Sequence, residues 1–121
     1  MDHQSLVDYH LSKPGAVEDY PFGDEVIVMK IASKMFSLIS IKDGATHMNL
    51  KCDPELALVL RHQYPSVTEG YHMNKKHWNT VIVDGSISDK ELLKMIDHSY
   101  DLVFSKLKKT EKEFLMKNFY V

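Results

Sequence analysis

At 121 residues, with 44% apolar and 26% charged side chains, the chain has the length of one domain and enough apolar mass to bury a core without staples. Its single cysteine, Cys52, excludes an internal disulfide framework and any multi-cysteine zinc site, which fits a reducing compartment, with the cytoplasm as the expected location. The net charge is −2, but five lysines against Glu111 and Glu113 give +3 after Ser105, so residues 1–105 carry −5 and any polyanion would have to use a local patch or the tail.

In chain order, Asp2 is placed to cap a short amphipathic helix through Ser12, with Leu6, Val7 and Leu11 at helical spacing and a stop at Pro14-Gly15. Tyr20-Pro21-Phe22-Gly23 reads as a turn. Three runs rich in apolar and β-branched residues follow, residues 25–31, 34–41 and 45–51, separated by Ala32-Ser33 and Asp43-Gly44, which suit tight hairpins. In the third run the period-two alternation puts Met48 and Leu50 on one face and His47, Asn49 and Lys51 on the other. Asp53-Pro54-Glu55 opens a helix, since Asp53 can cap, Pro54 suits the first turn and Glu55 favours the positive end of the dipole. Its inner face is expected to be Leu56, Val59, Leu60 and Gln63.

After Tyr64-Pro65, an extended piece over 67–71 and a firmer strand over 78–83 are expected, the latter ending at Asp84-Gly85. Ser88-Asp89-Lys90-Glu91 is a capping-box pattern opening a helix with the stripe Leu92, Ile96, Ser99, Tyr100, Val103, Leu107. Residues 106–121 form a charged tail that ends in apolar residues, read either as a short terminal helix or as partly unordered chain. The order predicts one α+β domain over residues 1–121, a two-layer sandwich in which about five antiparallel strands carry three principal helices on one face. No apolar run approaches the roughly 18 residues of a membrane span, and Met1-Asp2-His3-Gln4 lacks the basic start of a secretory signal.

Residues 70–79 concentrate the side chains suited to contact: Tyr71, His72, Asn74, Lys75, Lys76, His77, Trp78 and Asn79. A basic, aromatic, amide-rich cluster can hold an anion or stack on a base. Lys51, with Lys30 and Lys34, would add to a basic groove if these strands present them to one surface. The plain alternative is a solvated turn at Lys75-Lys76 with Trp78 as a partly buried anchor, which leaves Tyr71 the better stacking residue.

Pro14-Gly15, Tyr20-Pro21-Phe22-Gly23-Asp24-Glu25, Lys30, Lys34-Met35-Phe36, Asn49-Leu50-Lys51-Cys52-Asp53-Pro54, Gly70 to Asn79 and Ser99-Tyr100-Asp101-Leu102-Val103 together resemble the MmcQ/YjbR family of small bacterial proteins. The resemblance spans residues 14–105. It implies a compact α+β fold similar to secretion-chaperone and frataxin-like sandwiches, and a DNA-binding label that rests on fold similarity. With an acidic body and one small basic patch, any DNA binding is expected to be weak and largely independent of sequence, centred on Lys75 and Lys76 within the cluster, with support from Lys51 and the lysine-bearing tail. The alternative is a protein-interaction or chaperone-like module, or a homodimer, using an open sheet face populated by Met29, Met35 and Ile39. Lysines and amides on that face would favour nucleic acid; a contiguous apolar patch would favour protein.

Catalysis is not expected, because no phosphate loop, dinucleotide fingerprint or nucleophile elbow is present. No cofactor is expected either. His72 and His77 match no zinc spacing, so no metal is expected, and Cys52 reads as a small core residue rather than a thiol activated by His47.

Overall fold

The computed structural model describes residues 1–70 and 73–120. Helix α1 (His3–Ser12) is followed by strands β1 (Val17–Asp19), β2 (Ile27–Ile31), β3 (Lys34–Lys42) and β4 (Ala45–Lys51). Then come α2 (Pro54–Gln63), β5 (Val67–Glu69), β6 (Trp78–Val83), α3 (Asp89–Ser105) and α4 (Lys109–Phe119). The six strands form one antiparallel sheet in the order β1-β2-β3-β4-β6-β5. The α+β two-layer reading holds, with one strand and one helix more than the sequence suggests.

The additional strand β1 is three residues long and lacks an apolar alternation, so nothing local announces it. It exists because β2 offers it an edge, with Val17 opposite Lys30, and because the Lys30 ammonium meets Asp19 at 2.7 Å. Both hairpins are where the turn residues put them. Ala32 and Ser33 have φ of 46° and 69°, and Asp43 and Gly44 have 52° and 79°, the paired positive φ that a two-residue type I′ turn requires.

The cap signals hold as well. The Asp2, Asp53 and Ser88 side chains accept from the amides of Ser5, Leu56 and Glu91. At α2, however, the expected inner face is wrong by one residue. Ala57 is buried, Leu60 and Tyr64 pack partly against the core, and Arg61 reaches the sheet, while Leu56, Val59 and Gln63 are exposed. The helical period is right and its phase is not, because the inward position is occupied by a guanidinium rather than an apolar group.

One core lies between the sheet and the helices, joining Leu6 and Val7 of α1, Met29, Phe36, Ile39, Met48 and Val81 of the sheet, and Leu92, Ile96, Tyr100 and Val103 of α3. Leu115 of α4 enters the same core, so the tail is ordered through Phe119. Met29 and Ile39, expected on the open face, are fully buried here instead; of the three, only Met35 packs on the opposite side. The reason is a bulge: Met29 pairs with Ser37 and Lys30 with Met35, which leaves Phe36 as the extra residue on β3 and turns its ring inward. The Phe36 carbonyl displaced from the ladder accepts from the buried Ser99 hydroxyl of α3 at 2.5 Å, and Ser99 Oγ in turn accepts from the Lys51 amide at 2.8 Å. Ser99 thus does in the helix stripe what an apolar residue could not.

His10 is fully buried against Phe36, with ring centroids 5.9 Å apart. Its Nδ1 pairs with the Leu6 carbonyl at 2.7 Å and its Nε2 has no hydrogen-bond partner among the described residues. Burial, and secondarily the Lys13 charge, push its pKa down to about 4. The folded state therefore holds His10 neutral while the unfolded chain takes up a proton below about 6.5, so stability is complete above that pH and erodes as the pH falls toward 4. Urea unfolding is expected to show a loss of about 2 kcal/mol between pH 7 and pH 5 that is absent in His10→Leu. Parallel pH profiles for the two proteins would contradict this assignment.

Candidate functional site

The period-two alternation of β6 divides the cluster at residues 70–79 between the two faces of the sheet. Trp78 lies on the face away from the helices, packed with Val28 and Leu38 and flanked by Val26, Met35 and Met73, and it is buried. Asn79 lies on the helix side, opposite Leu50, also buried. These two residues are anchors and not surface contacts. Asn74 spends its amide on the turn, its Oδ1 accepting from the Lys76 amide at 3.0 Å. The His77 carbonyl accepts from the Cys52 amide at 2.8 Å, tying the loop to the end of β4.

Lys75 and Lys76 are exposed, and Lys75 Nζ lies 3.6 Å from Glu69. Lys51, paired in register with Trp78, is half-buried, and burial together with the Lys106 charge lowers its pKa. Tyr71 and His72 lie outside the described residues. Of the lysines expected in a basic groove, Lys30 is held by Asp19 at 2.7 Å.

What holds the loop is Arg61, the one arginine in the chain. From α2 its Nε donates to Asn79 Oδ1 at 2.7 Å, and its Nη2 donates to the Trp78 carbonyl at 3.2 Å and to the Lys75 carbonyl. A guanidinium can serve three acceptors in fixed directions, which a lysine cannot. Gly70 closes the other side. Its amide donates to the Trp78 carbonyl at 2.9 Å, and a Cβ there would lie 2.7 Å from Trp78 Cβ and 3.1 Å from Met73 Cβ.

The open face of the sheet is a groove of about 680 Å³. Its floor carries Leu38 and Ser40 of β3, His47 and Asn49 of β4, and Thr80 and Ile82 of β6, while Phe22 and Val26 wall one side and Met73 and Glu69 the other. The Thr80 hydroxyl donates to Asn49 Oδ1 at 2.7 Å, leaving the Asn49 NH2 as that amide's donating end. His47 Nδ1 lies 3.0 Å from the Ala45 carbonyl, so Nδ1 carries the proton and Nε2 is the acceptor. Lys42 is the only lysine lining the groove among the described residues, and Glu69, which also lines it, lies 3.6 Å from Lys75 Nζ.

These groove residues were missed in sequence, although the alternation of β3, β4 and β6 already places them on one face. The signal lacking was the second wall: nothing local says that the turn bearing Phe22, 64% exposed, stands opposite Met73. Cys52 is buried, and burial pushes its thiol up to about 11. It faces a separate cleft between α2 and α3, away from His47 in the groove. Among the described residues no three His, Cys, Asp or Glu side chains come together as metal ligands, and no helix is long and apolar enough to cross a membrane.

A family model described as YjbR matches residues 11–102. The chain belongs to the YjbR family. Among YjbR relatives, the Escherichia coli O157:H7 protein "Uncharacterized protein YbdF" is 40% identical over 117 residues, covering 93% of this chain and 96% of its own. "Uncharacterized protein YjbR" of Escherichia coli K12 is 30% identical over 116 residues, covering 96% and 98%. A Deinococcus radiodurans crystal structure superposes with a TM-score of 0.86 at 37% identity, covering 94% of this chain and 87% of that one. A Pseudomonas syringae crystal structure superposes at 0.73 with 29% identity, covering 84% and 98%.

Gly70→Ala tests the loop geometry described above for this YjbR chain. The added methyl must separate the loop from β6, so we expect a loss of about 1–3 kcal/mol in urea unfolding. A red-shifted emission from Trp78, the one tryptophan, should accompany it. An unchanged midpoint with unchanged emission would contradict the close approach.

Proposed function

We propose that the protein is a non-catalytic interaction module whose open sheet face takes a short extended segment of a partner polypeptide. The observation that carries this reading is the groove between Phe22 and Met73, with a largely apolar lining and a hydrogen-bonding floor. From β3 to β5 the groove crosses three strand spacings of about 4.8 Å, or about 14 Å, the length of about four extended residues. Such a segment would set alternate apolar side chains on Leu38 and Ile82 and offer its amides and carbonyls to His47 Nε2 and the Asn49 NH2.

Nucleic acid is the competing reading for the family resemblance, and the charge pattern speaks for the polypeptide. A duplex would need several cations on one surface. Here Lys75 and Lys30 each have a carboxylate within 4 Å, at 3.6 and 2.7 Å.

Selection from a displayed random peptide library, followed by fluorescence anisotropy of the enriched sequences, tests the proposal. Expected are peptides with apolar residues two apart, whose affinity falls at least about tenfold in Phe22→Ser and in Ile82→Glu. A short labelled duplex run over a salt series should show no binding at low salt. Failure to enrich any peptide, or a self-association that Ile82→Glu abolishes, would overturn it. So would duplex binding that falls with salt at about −0.9 per phosphate contact and is lost in Lys75→Glu/Lys76→Glu.

A further inference from the structure

Helix α2 covers the sheet with one face and leaves the other bare. Ala57 is buried and Leu60 packs partly against the core, whereas Glu55, Leu56, Leu58, Val59, His62 and Gln63 are exposed. At 3.6 residues per turn, Glu55, Val59 and His62 form one outward stripe, and Leu58 and Leu56 flank it on either side. Leu58 and Val59 are 64% and 56% exposed, on a helix face that would ordinarily be polar. The Glu55 and His62 side chains have no hydrogen bond or ion pair within the chain among the described residues.

The order of these residues identifies what covers the face. The midpoint between Leu58 and Val59 lies as far from Glu55 as from His62, about 5 Å along the axis in each direction. A two-fold axis through that midpoint brings an antiparallel copy of the helix against the first. It sets Glu55 opposite His62 of the second copy, and the reverse, while Leu58 and Val59 of both copies meet at the centre. A parallel copy would set Glu55 against Glu55 and His62 against His62. An imidazole donates to a carboxylate in its neutral as in its protonated form, so the antiparallel pairing holds in both. We propose that the outer face of α2 is an isologous dimer interface, occupied by a second copy of this chain in antiparallel alignment. Two helices of 10 residues each make a contact at the low end of specific interfaces, so the dimer is weak, with a Kd on the order of 100 µM. This face and the groove lie on opposite sides of the sheet, which leaves both grooves of the dimer open.

Sedimentation equilibrium of the full chain at neutral pH, from about 10 µM to about 1 mM, brackets the expected constant. A monomer–dimer equilibrium is expected, and Val59→Glu should weaken it at least about tenfold, because it sets two carboxylates together at the two-fold axis. His62→Glu should weaken it as well, and Glu55→Lys/His62→Glu should restore it, since opposite charges then face each other again. All these positions are exposed, and thermal melts report that each variant keeps its fold. Ile82→Glu, in the groove, should leave the equilibrium unchanged. A chain that stays monomeric at the highest concentration, a dimer that survives Val59→Glu, or one that Ile82→Glu abolishes would overturn the proposal. So would a double variant no tighter than His62→Glu alone.

Discussion

Arg61 is the interaction on which the two sides of this molecule depend. Its guanidinium leaves α2 on the helix side and ends on the Trp78 and Lys75 carbonyls and on the Asn79 amide oxygen. By those bonds it sets where the loop before β6 lies, and that loop brings Met73 to the groove on the far face. The same guanidinium fixes the orientation of the buried Asn79 amide. A charge in this half-buried position is tolerated because its donors are met by oxygen atoms.

The sheet turns one alternating pattern into two environments. Residues facing the helices build the core; their neighbours in sequence build the groove. The bulge at Phe36 would leave a carbonyl out of the ladder at the core, and Ser99 meets it. The groove side instead keeps a small apolar cluster around Trp78 and, beside it, a half-polar floor. An antiparallel sheet with one face uncovered commonly has a polar outer face, and the apolar-walled groove there is the departure on which the proposed interaction rests.

Much of the fold was legible in local signals. The two hairpin turns, the caps at Asp2, Asp53 and Ser88, and the strands over 45–51 and 78–83 are where turn chemistry, capping and alternation put them. β1 was not legible, because its pairing with β2 and not its own composition makes it a strand. The phase of α2 was lost because a helix is read from its apolar residues, while the inward residue that matters is an arginine. For the site, the concentration of unusual residues at 70–79 falls on the loop that Arg61 ties down. Trp78 is buried, as its reading as an anchor expects, whereas Asn79 is buried as well and Asn74 is spent on the turn, which composition alone does not reveal.

Hydrogen exchange of individual amides in the unaltered protein and in Arg61→Ala tests the central role of this residue most directly. The Gly70 and His77 amides, which bond to Trp78 and Asn74 carbonyls, should lose protection, while ladder amides of β2, β3 and β4 keep theirs. Undiminished protection at Gly70 and His77, or an equal loss throughout the sheet, would contradict the account of Arg61 as the clamp that shapes the groove.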